Sequence, residues 1–414
     1  MIKNIVKQIW NQRRSNGWLF AELFIVFTLL WYCVDILYNY AHAELEPKGY
    51  EIENTYHIEM KSNPTQELDT QNVDSLEQFW RKPQEEVLRR IRNYPGVEAA
   101  TIWFGTDAYT TNTMYQVYTT DSLHMAGANI RYVGEDYCRV FHTEMLQGHQ
   151  AGWDAHAVPL SAIVSEDLAD SLFQRKDVIG QEFYDYYQPA LHYRIVGVMA
   201  LQKTTDYTRY EPCIITPMPS WYYGNEQALA NISVRVHSES SARFVQRFVS
   251  EMGPQLQVAP FYLFNVQSYQ EQKQIGDVEE GVTSYVKSVR MVVVFFIVNI
   301  FLGLMGTFWF RARHRRSEIG LRLAMGSSRG GIRRQLIGEG LLLLTFASLP
   351  GIVICGNMVM ANLTFTQSTD PSMFRFIICT VGTWCLMALM VIAGIWFPAC
   401  QAMKIQPAEA LHEE

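Results

Sequence analysis

The chain has 414 residues, 49% of them hydrophobic and only 18% charged, with a formal net charge of −7. That charged fraction lies below the roughly 25% of an ordinary soluble domain and points to membrane segments beside a water-soluble part. From Ala41 to Val289 there are 19 Lys+Arg against 33 Asp+Glu, and the remainder has 15 against 8. An acidic domain on one side of a membrane and basic loops on the other fit that split, and the acidic balance argues against nucleic acid as a partner.

Residues 1–16 place Ile2, Ile5, Val6, Ile9 and Trp10 on one helical face beside Lys3, Lys7, Arg13 and Arg14. This pattern predicts an amphipathic helix on the cytoplasmic membrane surface. Gly17 to Tyr38 is the first span, with Glu22 and Asp35 near its two ends, where charge is least costly. Ala41-His42-Ala43 resembles a small-x-small cleavage site, but the aromatic flanks favour a retained span. Glu22 has a second reading, as a functional group facing other helices.

Residues 41–265 contain no run long enough to span. Helix signals at Val73–Asn93, Tyr137–Leu146, Ser165–Phe173 and Ser241–Met252 alternate with strand signals. The strands are expected near Val97–Phe104, Thr113–Tyr118, Leu160–Val164, Glu182–Tyr187, His192–Met199, Ile214–Thr216, Ile232–Val236 and Leu256–Phe264. The mixture predicts an α+β domain with two subdomains. Residues 266–290 turn polar-helical and read as a stalk that runs on into the second span, Met291–Phe310. Two further spans follow, within 340–360 and 376–403. The predicted fold is a membrane protein with four transmembrane α-helices and a large α+β extracytoplasmic domain inserted between helices 1 and 2. By the positive-inside rule both termini and the loop after the second span face the cytoplasm.

Motifs for catalysis are missing from the pattern. No glycine is followed by lysine, so the chain has no phosphate-cradling Gly-x-x-x-x-Gly-Lys-[Ser/Thr] and is not expected to hydrolyse nucleotide itself. His149 and His156, beside Asp154, read as loop histidines, and no metal or cofactor is expected. Of seven cysteines, Cys138 and Cys213 fall in the soluble part, as two reduced thiols or as a disulfide; spacing cannot choose.

One stretch exceeds what topology requires. Arg311 to Leu344 holds eight arginines and, before Glu339, one acid, Glu318. Arg315, Glu318, Ile319, Gly320, Arg322, Leu323, Ala324 and Gly326 form a short helix pattern closed by a glycine. Ser327-Ser328 is positioned to cap the next helix.

This Arg-x-x-Glu-Ile-Gly-x-Arg-x-Ala-x-Gly run resembles the loop of the FtsX and MacB permease superfamily, with Ser327 where alanine is usual. Glu339-Gly340-Leu341 at the third span and Pro407-Ala408-Glu409-Ala410-Leu411 near the C-terminus are also similar to that family, although His412 stands where arginine is common. Val140 to Val198 follows the order of the MacB-like periplasmic domain. The resemblance implies the permease subunit of an ABC-type complex in a bacterial inner membrane, working with a separate ATPase subunit and a second permease copy, the same or a sister. It implies that residues 315–326 are the helix that receives ATPase motion, with Glu339, Pro407, Glu409 and Leu411 in support. The work is then done outside, on an efflux, envelope or outer-membrane partner. Two other roles stay open at this point: an FtsX-like regulator of a cell-wall hydrolase, and a membrane-anchored sensor or scaffold needing no ATPase.

Overall fold

The structure, a computed structural model, describes residues 13–63, 73–110, 113–121, 124–150, 158–175, 177–219, 231–314, 325, 328–365 and 371–402. It divides into two compact units, 1–45 with 282–414, and 46–281.

The first unit contains four long helices: α1 (Arg13–Leu45), α8 (Val282–His314), α9 (Arg329–Met360) and α10 (Met373–Ala402). Each is long and apolar enough to cross a membrane. Leu23 and Phe27 of α1, Leu304 of α8, Leu344 of α9 and Val391 of α10 are buried together in the bundle core. α1 continues seven residues past the expected end of the first span, so Ala41-His42-Ala43 lies inside a helix, with Ala43 buried. The amphipathic segment up to residue 12 lies outside the described residues.

In the second unit β1 (Thr55–Ser62), α2 (Val73–Arg92) and β2 (Val97–Gly105) come first, and β10 (Asn231–Val236), α6 (Phe244–Met252) and β11 (Phe261–Ser268) come last. Their strands lie antiparallel in the order β11-β1-β10-β2. This is a split β-α-β-β-α-β sheet. Phe244 and Phe248 on α6, with Val87 and Ile91 on α2, fill one core with the sheet residues Ile58, Ile232 and Val234.

Between β2 and β10 are inserted β3 (Tyr115–Thr119), β4 (Met125–Val133), α3 (Tyr137–Val140), β5 (Met145–Gly148), β6 (Leu160–Ser165), α4 (Glu166–Phe173), β7 (Glu182–Asp185), β8 (His192–Met199) and β9 (Cys213–Pro217); the short α5 (Ser238–Ser241) follows β10. The pairing runs β4-β3-β7-β8-β6-β9 and returns from β9 to β4, which closes a six-stranded barrel. Closure removes the free edges that an open sheet would expose. Tyr118, Phe183 and Tyr193 fill the interior; the first ring meets the other two edge-on at 5.5 and 5.8 Å.

Two expectations change. The helix from Tyr137 stops at Val140; His142 adopts φ +43°, and Met145–Gly148 pairs with β8 instead. The stalk is not one helix running into the second span. Residues 261–268 join the sheet as β11, and α7 (Tyr269–Glu279) starts with a capping box between Ser268 and Glu271. It ends at Gly281, whose φ of +75° suits glycine and breaks the chain before α8. Cys138 and Cys213 are both free thiols.

Candidate functional site

The residues singled out for coupling lie mostly beyond what can be described. Arg315, Glu318, Ile319, Gly320, Arg322, Leu323, Ala324 and Gly326, and Pro407, Glu409 and Leu411, are outside the described residues. Their flanks are placed. α8 carries the loop on one side to His314, and α9 begins at Arg329 on the other. Ser328 caps α9, its Oγ accepting a hydrogen bond from Gly331 N at 3.1 Å. Glu339 is buried in α9, only 1% exposed.

Small residues bring the four helices close, as packing in lipid requires. A Cβ at Gly351 of α9 would sit 2.7 Å from the Phe27 ring of α1, and one at Gly394 of α10 would sit 3.1 Å from Leu304 Cβ of α8. At Gly303 of α8 the neighbour is a carboxylate: a Cβ there would lie 2.2 Å from Glu22 Oε1. Glu22 thus packs against another helix, as the second sequence reading allowed.

The other charge of the first span has a partner that sequence inspection missed. Arg375 on α10 grips Asp35 through Nε to Oδ1 at 2.7 Å and Nη2 to Oδ2 at 2.6 Å, with both side chains buried. Arg375 Nη2 and Asn39 Nδ2 also donate to the Phe365 carbonyl, each at 2.8 Å. A lone acid within a span requires a counter-charge, and Arg375, one residue before the expected fourth span, is that charge.

The domain unit holds a second polar constellation, at its two connections to the membrane helices. Lys48, close to the start of the unit, pairs with Asp206 at 2.8 Å, and Lys273 on α7 pairs with the same carboxylate. Tyr109 Oη donates to Asp206 Oδ1 at 3.0 Å. Asp206 has no exposed surface. Its burial opposes ionisation, but Lys273 and Lys48 outweigh that and hold its pKa below the usual carboxylate range. Lys203, itself buried, pairs with Glu46.

One turn earlier on α7, Tyr269 Oη donates to Asp107 Oδ2 at 3.0 Å and lies 2.7 Å from Ser233 Oγ. Tyr137 Oη donates to the other Asp107 oxygen at 2.6 Å, and Trp103 Nε1 donates to Ser233 Oγ at 2.8 Å. Burial raises the Asp107 pKa, an effect that Arg131 beside it only partly offsets. Hydrogen bonds and ion pairs therefore fasten α7 to both subdomains, through β10 and through the loops of the barrel insertion. None of these residues had a motif to mark it; their separation in sequence hides the cluster. Among the described residues there is no group of His, Cys, Asp and Glu arranged to hold a metal ion.

Four membrane-crossing helices and an inserted α+β domain with a barrel define a multi-pass membrane protein of the permease type. The family description "MacB-like periplasmic core domain" matches residues 34–250, and "FtsX-like permease C-terminal" matches residues 290–407. The chain belongs to the MacB-like periplasmic core domain family and carries an FtsX-like permease domain, so it is the transmembrane part of an ABC-type transporter with a periplasmic domain. No ATPase domain is found within it. It is similar to the macrolide export ATP-binding/permease protein MacB 1/2 of Paracoccus denitrificans, at 24% identity over 70% of this chain and 42% of that protein. The MacB protein of Vibrio parahaemolyticus is 25% identical over 69% of this chain and 43% of its own length. The chain thus spans less than half the length of these curated relatives. Among solved structures it resembles the periplasmic region of MacB from Actinobacillus actinomycetemcomitans, with a TM-score of 0.35 and 13% identity over 55% of this chain and 94% of that one.

Proposed function

We propose that this permease transmits mechanical work. A separate ATPase subunit docks on the cytoplasmic loop at Glu318–Gly326, and its closure moves α8 and α9. That motion passes to the domain through its two connections, the segment after α1 and α7. The complex contains two permease copies, identical or sister chains, in a bacterial inner membrane with both termini in the cytoplasm. The domain then acts on an efflux, envelope or outer-membrane partner.

The observation that carries this reading is the FtsX-like match over 290–407 together with the Glu318-Ile319-Gly320-x-Arg322-x-Ala324-x-Gly326 run inside it. The fastening of α7 supports it mechanically. A connection that delivers force needs a stiff joint, and Lys273 and Tyr269 tie α7 to buried carboxylates. A flexible linker would dissipate the same displacement.

The test is co-purification. A candidate ABC ATPase subunit co-expressed with this chain should be retained by the wild-type permease and lost when Glu318→Ala, Ile319→Ala and Arg322→Ala are combined. Retention of the ATPase at wild-type levels by the triple variant would remove the assignment of that helix.

A further inference from the structure

A cavity of about 410 Å³ opens in the domain between α7 and the split sheet. Its walls include three aromatic side chains from distant parts of the chain: His57 on β1, Trp103 on β2 and Tyr109 beyond β2. Asp277, Glu279 and Glu280, from the last turn of α7 and its end, add three carboxylates, and among the described residues no lysine or arginine lines the cavity. His57 adds no charge at neutral pH. Burial lowers its pKa to about 4, and a hydrogen bond with Asn231, Nε2 to Oδ1 at 3.2 Å, offsets this only in part. The space is real on the α7 side: a Cβ built on Gly276, which also lines the cavity, meets nothing within 4 Å.

This combination selects for charge and shape. Aromatic faces attract ammonium groups through the ring quadrupole, more strongly where water is excluded. Carboxylates at one side of the same space favour a ligand with more than one positive centre. The volume lies at the small end of the range for ligand pockets, about 300–1,000 Å³. A long hydrocarbon anion or a nucleotide would meet three like charges. A compact divalent metal would leave the aromatic wall without a function.

We propose that this cavity is a binding site for a linear aliphatic polyamine, with its methylene chain against His57, Trp103 and Tyr109 and its ammonium groups toward Asp277, Glu279 and Glu280. The site lies within the domain unit and stands whether or not the coupling loop has the role given to it above. Ligand in this cavity contacts α7 directly, so its occupancy is sensed by the connection leading to α8.

Isothermal titration of spermidine into the full chain in uncharged nanodiscs tests this at low ionic strength. One molecule per chain is expected. Two variants separate charge from space. Asp277→Asn, Glu279→Gln and Glu280→Gln together should weaken binding about tenfold, the half-buried Asp277 and the exposed Glu279 and Glu280 each contributing modestly. Gly276→Leu fills the cavity without changing charge, in a helix that tolerates leucine better than glycine, and should abolish binding. Absence of binding to the wild-type chain overturns the proposal. So does Gly276→Leu binding as the wild type does, which would reduce the effect to surface charge. Equal displacement of spermidine by Mg²⁺ at the same concentration would overturn it too, because a metal ion gains nothing from the rings.

Discussion

Lys48 Nζ lies 2.8 Å from Asp206 Oδ1, and Lys273 occupies the other oxygen of the same carboxylate. Lys48 belongs to the segment that enters the domain and Lys273 to the helix that leaves it. One buried acid, on a loop of the barrel insertion, therefore ties together both connections to the membrane helices.

Asp206→Asn removes that tie. Its folded-state pKa is depressed, so the stability it contributes is present above the unfolded value, about 3.9, and is lost as pH falls through the lower folded value. The expected result is a loss of about 1–3 kcal/mol at pH 7 that shrinks on acidification. Chemical unfolding at pH 7 and at pH 3 measures it; an equal loss at both values would contradict the ionised role.

Tyr269→Phe keeps the buried ring and deletes the hydroxyl that meets Asp107 and Ser233. Leaving those buried groups short of a partner should cost about 1–3 kcal/mol. Hydrogen exchange should accelerate first in α7, ahead of the sheet. Uniform acceleration across the domain would show that the hydroxyl supports the core and not the joint.

His57 carries a pH dependence of opposite chemical type and the same direction. Its folded pKa, about 4, lies below the ordinary 6.5, so the unfolded chain takes the proton first. Stability falls as pH drops from 6.5 toward 4, by about 3 kcal/mol at pH 4. His57→Gln should flatten that slope while leaving stability above pH 7 less affected. An unchanged slope would mean that His57 takes up its proton equally readily in the folded and unfolded chain.

Within the bundle, Asp35 and Arg375 form a buried pair. Arg375→Gln strands the carboxylate and should cost about 3–5 kcal/mol, whereas Asp35→Leu with Arg375→Met should recover most of it. Thermal unfolding in detergent compares them. Equal losses in the single and double variants would show that the hydrogen bonds to Phe365, and not the charge, hold the loop after α9.

Two glycines at helix contacts should differ. Gly303→Ala presses only on the end of the flexible Glu22 side chain, which can swing aside. Gly351→Ala meets the fully buried Phe27 ring at 2.7 Å and should cost about 1–3 kcal/mol by overpacking. Melting temperatures of the two variants should rank in that order.

Four spans, the inserted α+β domain and its two-subdomain composition were legible because apolar length and alternation are local signals. Strand β4 was not: MAGANIRYV buries Asn129 and Arg131, so it shows no apolar alternation. β1 mixes His57 and Glu59 among its apolar residues for a similar reason. The stalk misled because VQSYQEQKQ has helical polarity throughout, while the pairing of β11 with β1 and the cap at Ser268 are set by a strand some 200 residues earlier. The Asp206 and Asp107 clusters could not be read at all. Lys48, Asp206 and Lys273 are far apart in sequence, and no periodicity links them. The motif proposed for coupling is the converse case: plain in sequence, from Glu318 to Gly326, and outside the described residues.

Force transmission is tested most directly by distance. Spin labels on Ser171→Cys, an exposed site on α4, report the separation of the two domains in the proposed complex of two permeases and an ATPase. Adding ATP with vanadate should shift that distance in the wild-type complex. With Glu318→Ala, Ile319→Ala and Arg322→Ala combined it should not move, although the domains remain folded. An ATP-driven shift of the same size in the triple variant would contradict the account, and so would a wild-type complex that hydrolyses ATP with no shift at all.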